Sequence, residues 1–247
     1  MKITVLGSSH GVPSADRFCS CYLIETGDAK YIVDAGAPVF EALCRKGYVA
    51  DDFNMIRALF TTHGHGDHVD GVLEFADLAN WYYKGMSVKI FLTEEKLIEG
   101  FTSLIETQEG RPLDPRVQFR LWGGEGVGYE DENIKVTLLP NQHLKPYGRP
   151  SFSLLVECEG KKVIFSGDLS SKMWANDFPD CHGVELLFCE LAHLGIEHID
   201  AHLQSCEAKD VVFTHVWPLS KLDAVEAKKN DYNAKLSAGY DGMVIEL

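Results

Sequence analysis

The chain reads as short apolar runs that end abruptly in turn residues. Residues 2–7 (KITVLG), 21–26 (CYLIET) and 30–36 (KYIVDAG) predict three successive strands. PVFEALCRKG (38–47) predicts a short helix, with Pro38 in its first turn and Gly47 as its stop. IRALFTT (56–62) is an apolar strand that runs straight into a group of histidines. After it, residues 72, 73, 75, 76, 78, 79, 82 and 83 are apolar, a helical period over 70–85 that Gly85 closes. A strand follows at 88–93, and Thr93 is then expected to cap a helix whose first turn holds Glu94 and Glu95. Further strands are expected at 116–122, 134–139, 152–157, 161–166, 185–190, 210–214 and 243–247, and helices near 198–206 and 219–230. Strands dominate each half, which suggests two mixed sheets packed face to face with helices outside. No linker or repeat divides the chain, so one domain spanning 1–247 is expected.

Composition narrows the function classes. Lys and Arg number 23 against 37 Asp and Glu, a formal charge of −14 that repels polyanions and makes nucleic acid an unexpected partner. No apolar run approaches the roughly 20 residues that span a bilayer, and the N-terminal run stops at Gly7. A cytoplasmic location without a membrane partner is therefore expected. The seven cysteines, at 19, 21, 44, 158, 181, 189 and 206, are scattered and odd in number, and read as reduced, mostly buried thiols.

The candidate chemistry lies in TTHGHGDHVDGV (61–72), where His63, His65, Asp67 and His68 crowd together with only glycines between. Gly64 and Gly66 remove side chains that would obstruct convergence. Imidazole and carboxylate together suit Zn²⁺, with Mn²⁺ or Fe²⁺ as other options. Four ligands in six residues exceed what one tetrahedral ion with an open position takes. His143, Asp168 and His215 each follow an apolar strand, where loops converge on sites, and supply the further donors that a second ion needs.

The order His63-x-His65-x-Asp67-His68, then His143, Asp168 and His215, resembles the metallo-β-lactamase-fold hydrolases over essentially the whole chain. The resemblance implies an αββα sandwich with two divalent ions at one edge: His63, His65 and His143 on one, Asp67, His68 and His215 on the other, Asp168 bridging. Asp34 matches the family's supporting aspartate, which orients a ligand histidine or the cluster loop. LGSSHGVPSADR (6–17) looks like the N-terminus of ribonuclease Z and its smaller relatives, with Pro13 and Arg17 fitting its Gly-x-Pro loop. CELAH (189–193) is similar to the ribonuclease Z segment whose glutamate pairs with a histidine, which makes Glu190 the glutamate and His202 or His198 its partner. Only 25 positions separate His143 from Asp168, too few for the ribonuclease Z arm, and GAPVFEA replaces the usual Gly-Glu-Gly-Thr segment. The resemblance then points to the armless phosphodiesterases and the pyrroloquinoline-quinone biosynthesis B-like branch.

The expected activity is hydrolysis of a small or cyclic phosphodiester. A water shared by ions about 3.5–4 Å apart gives hydroxide near neutral pH, oriented by Asp168 or Asp67. Glu190 with His202 is the expected proton donor to the leaving group. Arg17, Lys145, Arg149 and Lys172 are candidate phosphate contacts, and His10 and His193 are placed near the mouth. The partner is a small phosphorylated molecule, with a homodimer left open. Three alternatives remain: lactone, thioester or amide hydrolysis at the same site, a ribonuclease Z-like endonuclease, and a non-hydrolytic metal-binding accessory protein.

Overall fold

The computed structural model describes residues 1–12, 14–170 and 178–247; Pro13 and Lys172, both singled out by sequence, lie outside them. Among the described residues, strands form two seven-stranded sheets. The first has the order β14 (Val244–Glu246), β1 (Lys2–Gly7), β2 (Cys21–Thr26), β3 (Ala29–Ala35), β4 (Ile56–Phe60), β5 (Val88–Leu92) and β6 (Val117–Leu121). The second has the order β13 (Lys235–Ala238), β12 (Asp210–Val216), β11 (Leu186–Leu191), β10 (Lys161–Phe165), β9 (Phe152–Cys158), β8 (Ile134–Pro140) and β7 (Gly126–Glu130). Each sheet is part antiparallel and part parallel; β3 to β6 and β10 to β13 are the parallel runs.

The near-continuous apolar strands follow from coverage on both faces. In β3 and β4, Tyr31, Val33, Ala58 and Phe60 enter the core between the sheets, while Ile32, Ile56 and Leu59 face outward against helices. There Phe40 of helix Val39–Arg45 stacks on Phe75 of helix Gly71–Trp81 at 5.2 Å. On the far side Ile164, Leu187, Val211 and Phe213 pack against Leu203 and Val225, from helices Ile196–Ser205 and Lys221–Lys228. The layers are therefore helix, sheet, sheet, helix: the αββα sandwich expected from the sequence.

Three expectations are incomplete. The helix expected over 70–85 ends at Trp81 and is preceded by a separate turn of helix, Gly66–Val69. The helix after β5 starts one residue late: Glu94, not Thr93, is its N-cap. Strands β7 and β13 have no counterpart in the expected pattern. All seven cysteines are free; six are buried and Cys44 is exposed.

Candidate metal centre

Strand β4 delivers the histidine loop, and two glycines fix where it lies. A Cβ on Gly36 would sit 1.7 Å from the Asp67 carbonyl oxygen, so the end of β3 and the loop touch backbone to backbone. Gly167 holds φ +57, with a Cβ position 2.8 Å from the Phe152 carbonyl oxygen, and so turns β10 into Asp168. Beneath the loop, Asp34 is buried and itself at φ +55. It accepts from the Thr62 backbone N–H at 2.7 Å, from Thr62 Oγ1, and from His68 Nδ1 at 2.8 Å. This last bond fixes the His68 tautomer and turns Nε2 to the site. His143 Nδ1 lies 3.3 Å from the Leu169 carbonyl oxygen, which does the same for His143.

All seven expected donors meet at this edge. Asp168 shows two faces: Oδ2 lies 3.6 Å from His63 Nε2 and 3.5 Å from His143 Nε2, while Oδ1 lies 3.2 Å from His68 Nε2 and 3.4 Å from His215 Nε2. His65 Nδ1 is 3.3 Å from His143 Nε2, and Asp67 Oδ2 is 3.0 Å from His215 Nε2. The donors form two groups, His63, His65, His143, Asp168 and Asp67, His68, Asp168, His215, with ligand atoms within 4.8 Å of one another. Bonds of about 2.0–2.2 Å to one tetrahedral ion place neighbouring ligand atoms about 3.4 Å apart, so the spacing fits such an ion. His63 Nε2, His68 Nε2 and Asp168 Oδ1 are buried without a hydrogen-bond partner, as groups awaiting a cation are. Imidazole and carboxylate donors suit a divalent ion of the zinc type.

The electrostatics divide the two groups. Burial holds His63, His65 and His143 below the ordinary histidine range, which keeps their lone pairs free. Burial also opposes charge on His68 and His215, but Asp168 with Asp34 or Asp67 more than offsets it and raises both. Asp168 is likewise opposed by burial, yet His215, His68 and His63 hold it well below the carboxylate range.

At the rim the structure corrects the expected Glu190 partner. Glu190 is buried at the end of β11, and its carboxylate accepts from the backbone N–H groups of Leu169, Ala192 and His193. Its imidazole partner is His193, with Nδ1 at 3.2 Å, not His202 or His198. The backbone bonds pull 191–194 into a tight turn that brings the residue at i+3 back over Glu190. The other two histidines follow on helix Ile196–Ser205, where His202 stacks on Phe178 and His198 Nδ1 accepts from the Gly195 N–H. The His193 ring lies 4.7 Å from that of His143 and 5.8 Å from that of His215, and its Nδ1 is 3.8 Å from Asp168 Oδ2. Burial lowers its pKa, but Glu190 more than offsets this and lifts it to about 9.

The expected phosphate contacts fare unevenly. Lys145 is exposed on a 3-10 turn, and Arg17 donates to the Gly239 carbonyl oxygen at 3.2 Å. Arg149 is already committed: Nε and Nη2 form a fork on Glu94, at 3.0 and 2.7 Å, and Nη2 also donates to the Gly64 carbonyl oxygen at 3.2 Å. It braces the His63–His65 loop. Arg149→Ala should therefore weaken metal binding by about 10-fold, as removal of groups that support ligands does. The half-exposed ion pair itself adds under about 1 kcal/mol of stability. A competitive chelator titration checks this; unchanged metal affinity with a raised KM would return Arg149 to a substrate role. Beside Asp67 and His215, His10 packs on Trp217 at 4.5 Å over a cavity of about 390 Å³ lined also by Val12, Arg17, Val216 and Leu219.

Fold and donor cluster together define a member of the metallo-β-lactamase superfamily of metal-dependent hydrolases. Within it the chain belongs to the family described as anti-Pycsar protein Apyc1, whose model matches residues 1–206. It is 26% identical over 175 residues to the anti-Pycsar protein Apyc1 of Saccharibacillus brassicae, covering 69% of this chain and 68% of that one. It is 38% identical over 78 residues to the probable metallo-hydrolase YhfI of Bacillus subtilis, covering 31% of this chain; the match spans about a third of that relative, 30% of its length. Solved structures with the same fold include YhfI (TM-score 0.76, 19% identity, 100% of this chain and 98% of that) and human tRNase Z short form (0.73, 18%, 100% and 99%). A diphosphatase of the PhnP family also matches (0.68, 18%, 100% and 97%).

Proposed function

We propose that residues 1–247 form one dinuclear-metal-dependent phosphodiesterase that acts on a small or cyclic phosphodiester. The observation that carries the dinuclear reading is the split of Asp168, one oxygen toward each group of histidines. His63, His65 and His143 would hold one ion, Asp67, His68 and His215 the other, and Asp168 would join them. Bound Zn²⁺ ions would supply Lewis acidity and a water acidified to near-neutral pKa. The protein's own part is positional. Asp168 and Asp67 orient the attacking water, and Glu190 engages His193 Nδ1 and leaves Nε2 as the ring nitrogen that hands a proton to the departing oxygen. A small substrate is supported by the short interval between His143 and Asp168, which a 3-10 turn (Lys145–Tyr147) and the β9–β10 hairpin take up with short loops, leaving no room for a protruding arm. The PhnP-family diphosphatase and tRNase Z neighbours agree with a phosphate-centred reaction.

A second reading, hydrolysis of a lactone or thioester, is favoured by one feature, the largely apolar wall of Val12, Val216, Trp217 and Leu219 beside the site. Metal-loaded protein assayed on a generic aryl phosphodiester and a generic lactone separates the two. The diester should be cleaved, activity should fall with chelator and return with Zn²⁺ or Mn²⁺, and metal analysis should find near two ions per chain. Turnover of the lactone alone would reverse the order.

A further inference from the structure

Lys221 stands at the first turn of helix Lys221–Lys228, where the helix dipole opposes a cation. Its side chain serves something other than that helix. Nζ donates to the carbonyl oxygens of Leu191 at 2.8 Å, Ala192 at 2.9 Å and Leu194 at 2.6 Å, which uses all three ammonium N–H groups. These carbonyls flank His193 on both sides. From beneath, the Glu190 carboxylate takes the N–H groups of Ala192 and His193. The turn 191–194 is thus gripped by a carboxylate through its N–H groups and by an ammonium through its carbonyls. Burial lowers the Lys221 pKa and Glu190 acts against this, so the two charges support each other across the turn.

We propose that Lys221 is a positioning residue: its ammonium cage on the 191–194 carbonyls sets the orientation in which Glu190 presents the His193 ring to the metal centre. The inference rests on the reading of His193 as proton donor. Lys221 touches none of the metal-ligand candidates in these bonds and acts only through the turn.

The test compares Lys221→Met, Lys221→Ala and His193→Ala, all loaded with Zn²⁺, on aryl and alkyl phosphodiesters of graded leaving-group pKa. Lys221→Met should lower kcat by about 10-fold or more on poor leaving groups, part of the 10²–10⁴ that a proton donor supplies. It should cost little on a 4-nitrophenyl leaving group, which departs without a proton. KM and ion stoichiometry should stay as in the parent, and His193→Ala should show the same leaving-group dependence. Millimolar ethylammonium should partly restore Lys221→Ala, a rescue that a loosened fold would not show. In ¹⁵N-histidine NMR, the ring resonance that is absent in His193→Ala should move in Lys221→Met. A parental leaving-group dependence with an unmoved resonance would overturn the proposal. If His193→Ala shows no leaving-group dependence, the proton-donor reading falls by itself. The resonance then decides the positioning claim, supporting it if it moves and sinking it if it does not.

Discussion

Asp168→Ala should reduce bound metal from near two ions per chain to one or none, and should lower kcat by at least about 10³-fold, the scale of losing a preorganised charge in a dry site. Asp168 is the one donor shared by both groups. Oδ2 faces His63 and His143, and Oδ1 faces His68 and His215, at 3.2–3.6 Å. Alanine removes a ligand from each group and leaves an electropositive cluster without its central anion. Stability should change with pH accordingly. The carboxyl is held well below the ordinary range, so its contribution is complete above the unfolded value and is lost as pH falls toward the folded one. The parent should therefore lose stability on acidification through that window by an increment missing from the variant. Asp168→Asn separates shape from charge, since it keeps one carbonyl oxygen and should retain at most one ion. Metal analysis, a diester assay and melting curves from neutral to acid pH measure all three. Two tightly held ions in Asp168→Ala would end the bridging role.

Residues whose role depends on local sequence are legible in the chain itself. The histidine loop stands out because a strand runs into it and glycines space it, and His143, Asp168 and His215 because each closes an apolar strand. Partners fixed by tertiary approach are not legible in this way. Arg149 resembles a free phosphate contact because Glu94, its carboxylate, is 55 positions away on another loop. Helical histidines look like partners for Glu190 because nothing in ELAHLG shows that the carboxylate takes the Ala192 and His193 N–H groups and folds the turn back. The two unexpected strands are both edges. Gly126–Glu130 alternates glycine with side chains and reads as a turn, yet a Cβ on Gly128 would lie 2.6 Å from the Trp122 ring, so packing requires the missing side chain. Lys235–Ala238 is short, and its place is set by pairing with β12 and not by its own pattern.

The second large effect should come from Asp34, which bonds to two metal-site elements at once. It accepts from the Thr62 N–H and hydroxyl and from His68 Nδ1, in a position where every partner is buried. Asp34→Ala strands the Thr62 N–H and leaves His68 without its carboxylate, a loss of about 3–5 kcal/mol for a broken buried pair. At this chain length that lowers Tm by about 10 °C. Part of the loss is conformational, since Asp34 sits at φ +55, where alanine costs about 1–2 kcal/mol and asparagine is tolerated. Asp34→Asn therefore isolates the electrostatic part. Its single carbonyl oxygen can take the Thr62 N–H or the His68 Nδ1–H at full strength, but cannot replace two carboxylate oxygens. It should keep more of the Tm than alanine and still lose about 10–100-fold in affinity for an ion held by His68. Melting curves and metal titrations on the two variants provide the check. Equal metal affinity in parent and Asp34→Asn would show that His68 is oriented by packing alone, and that the carboxylate serves the fold and not the metal centre.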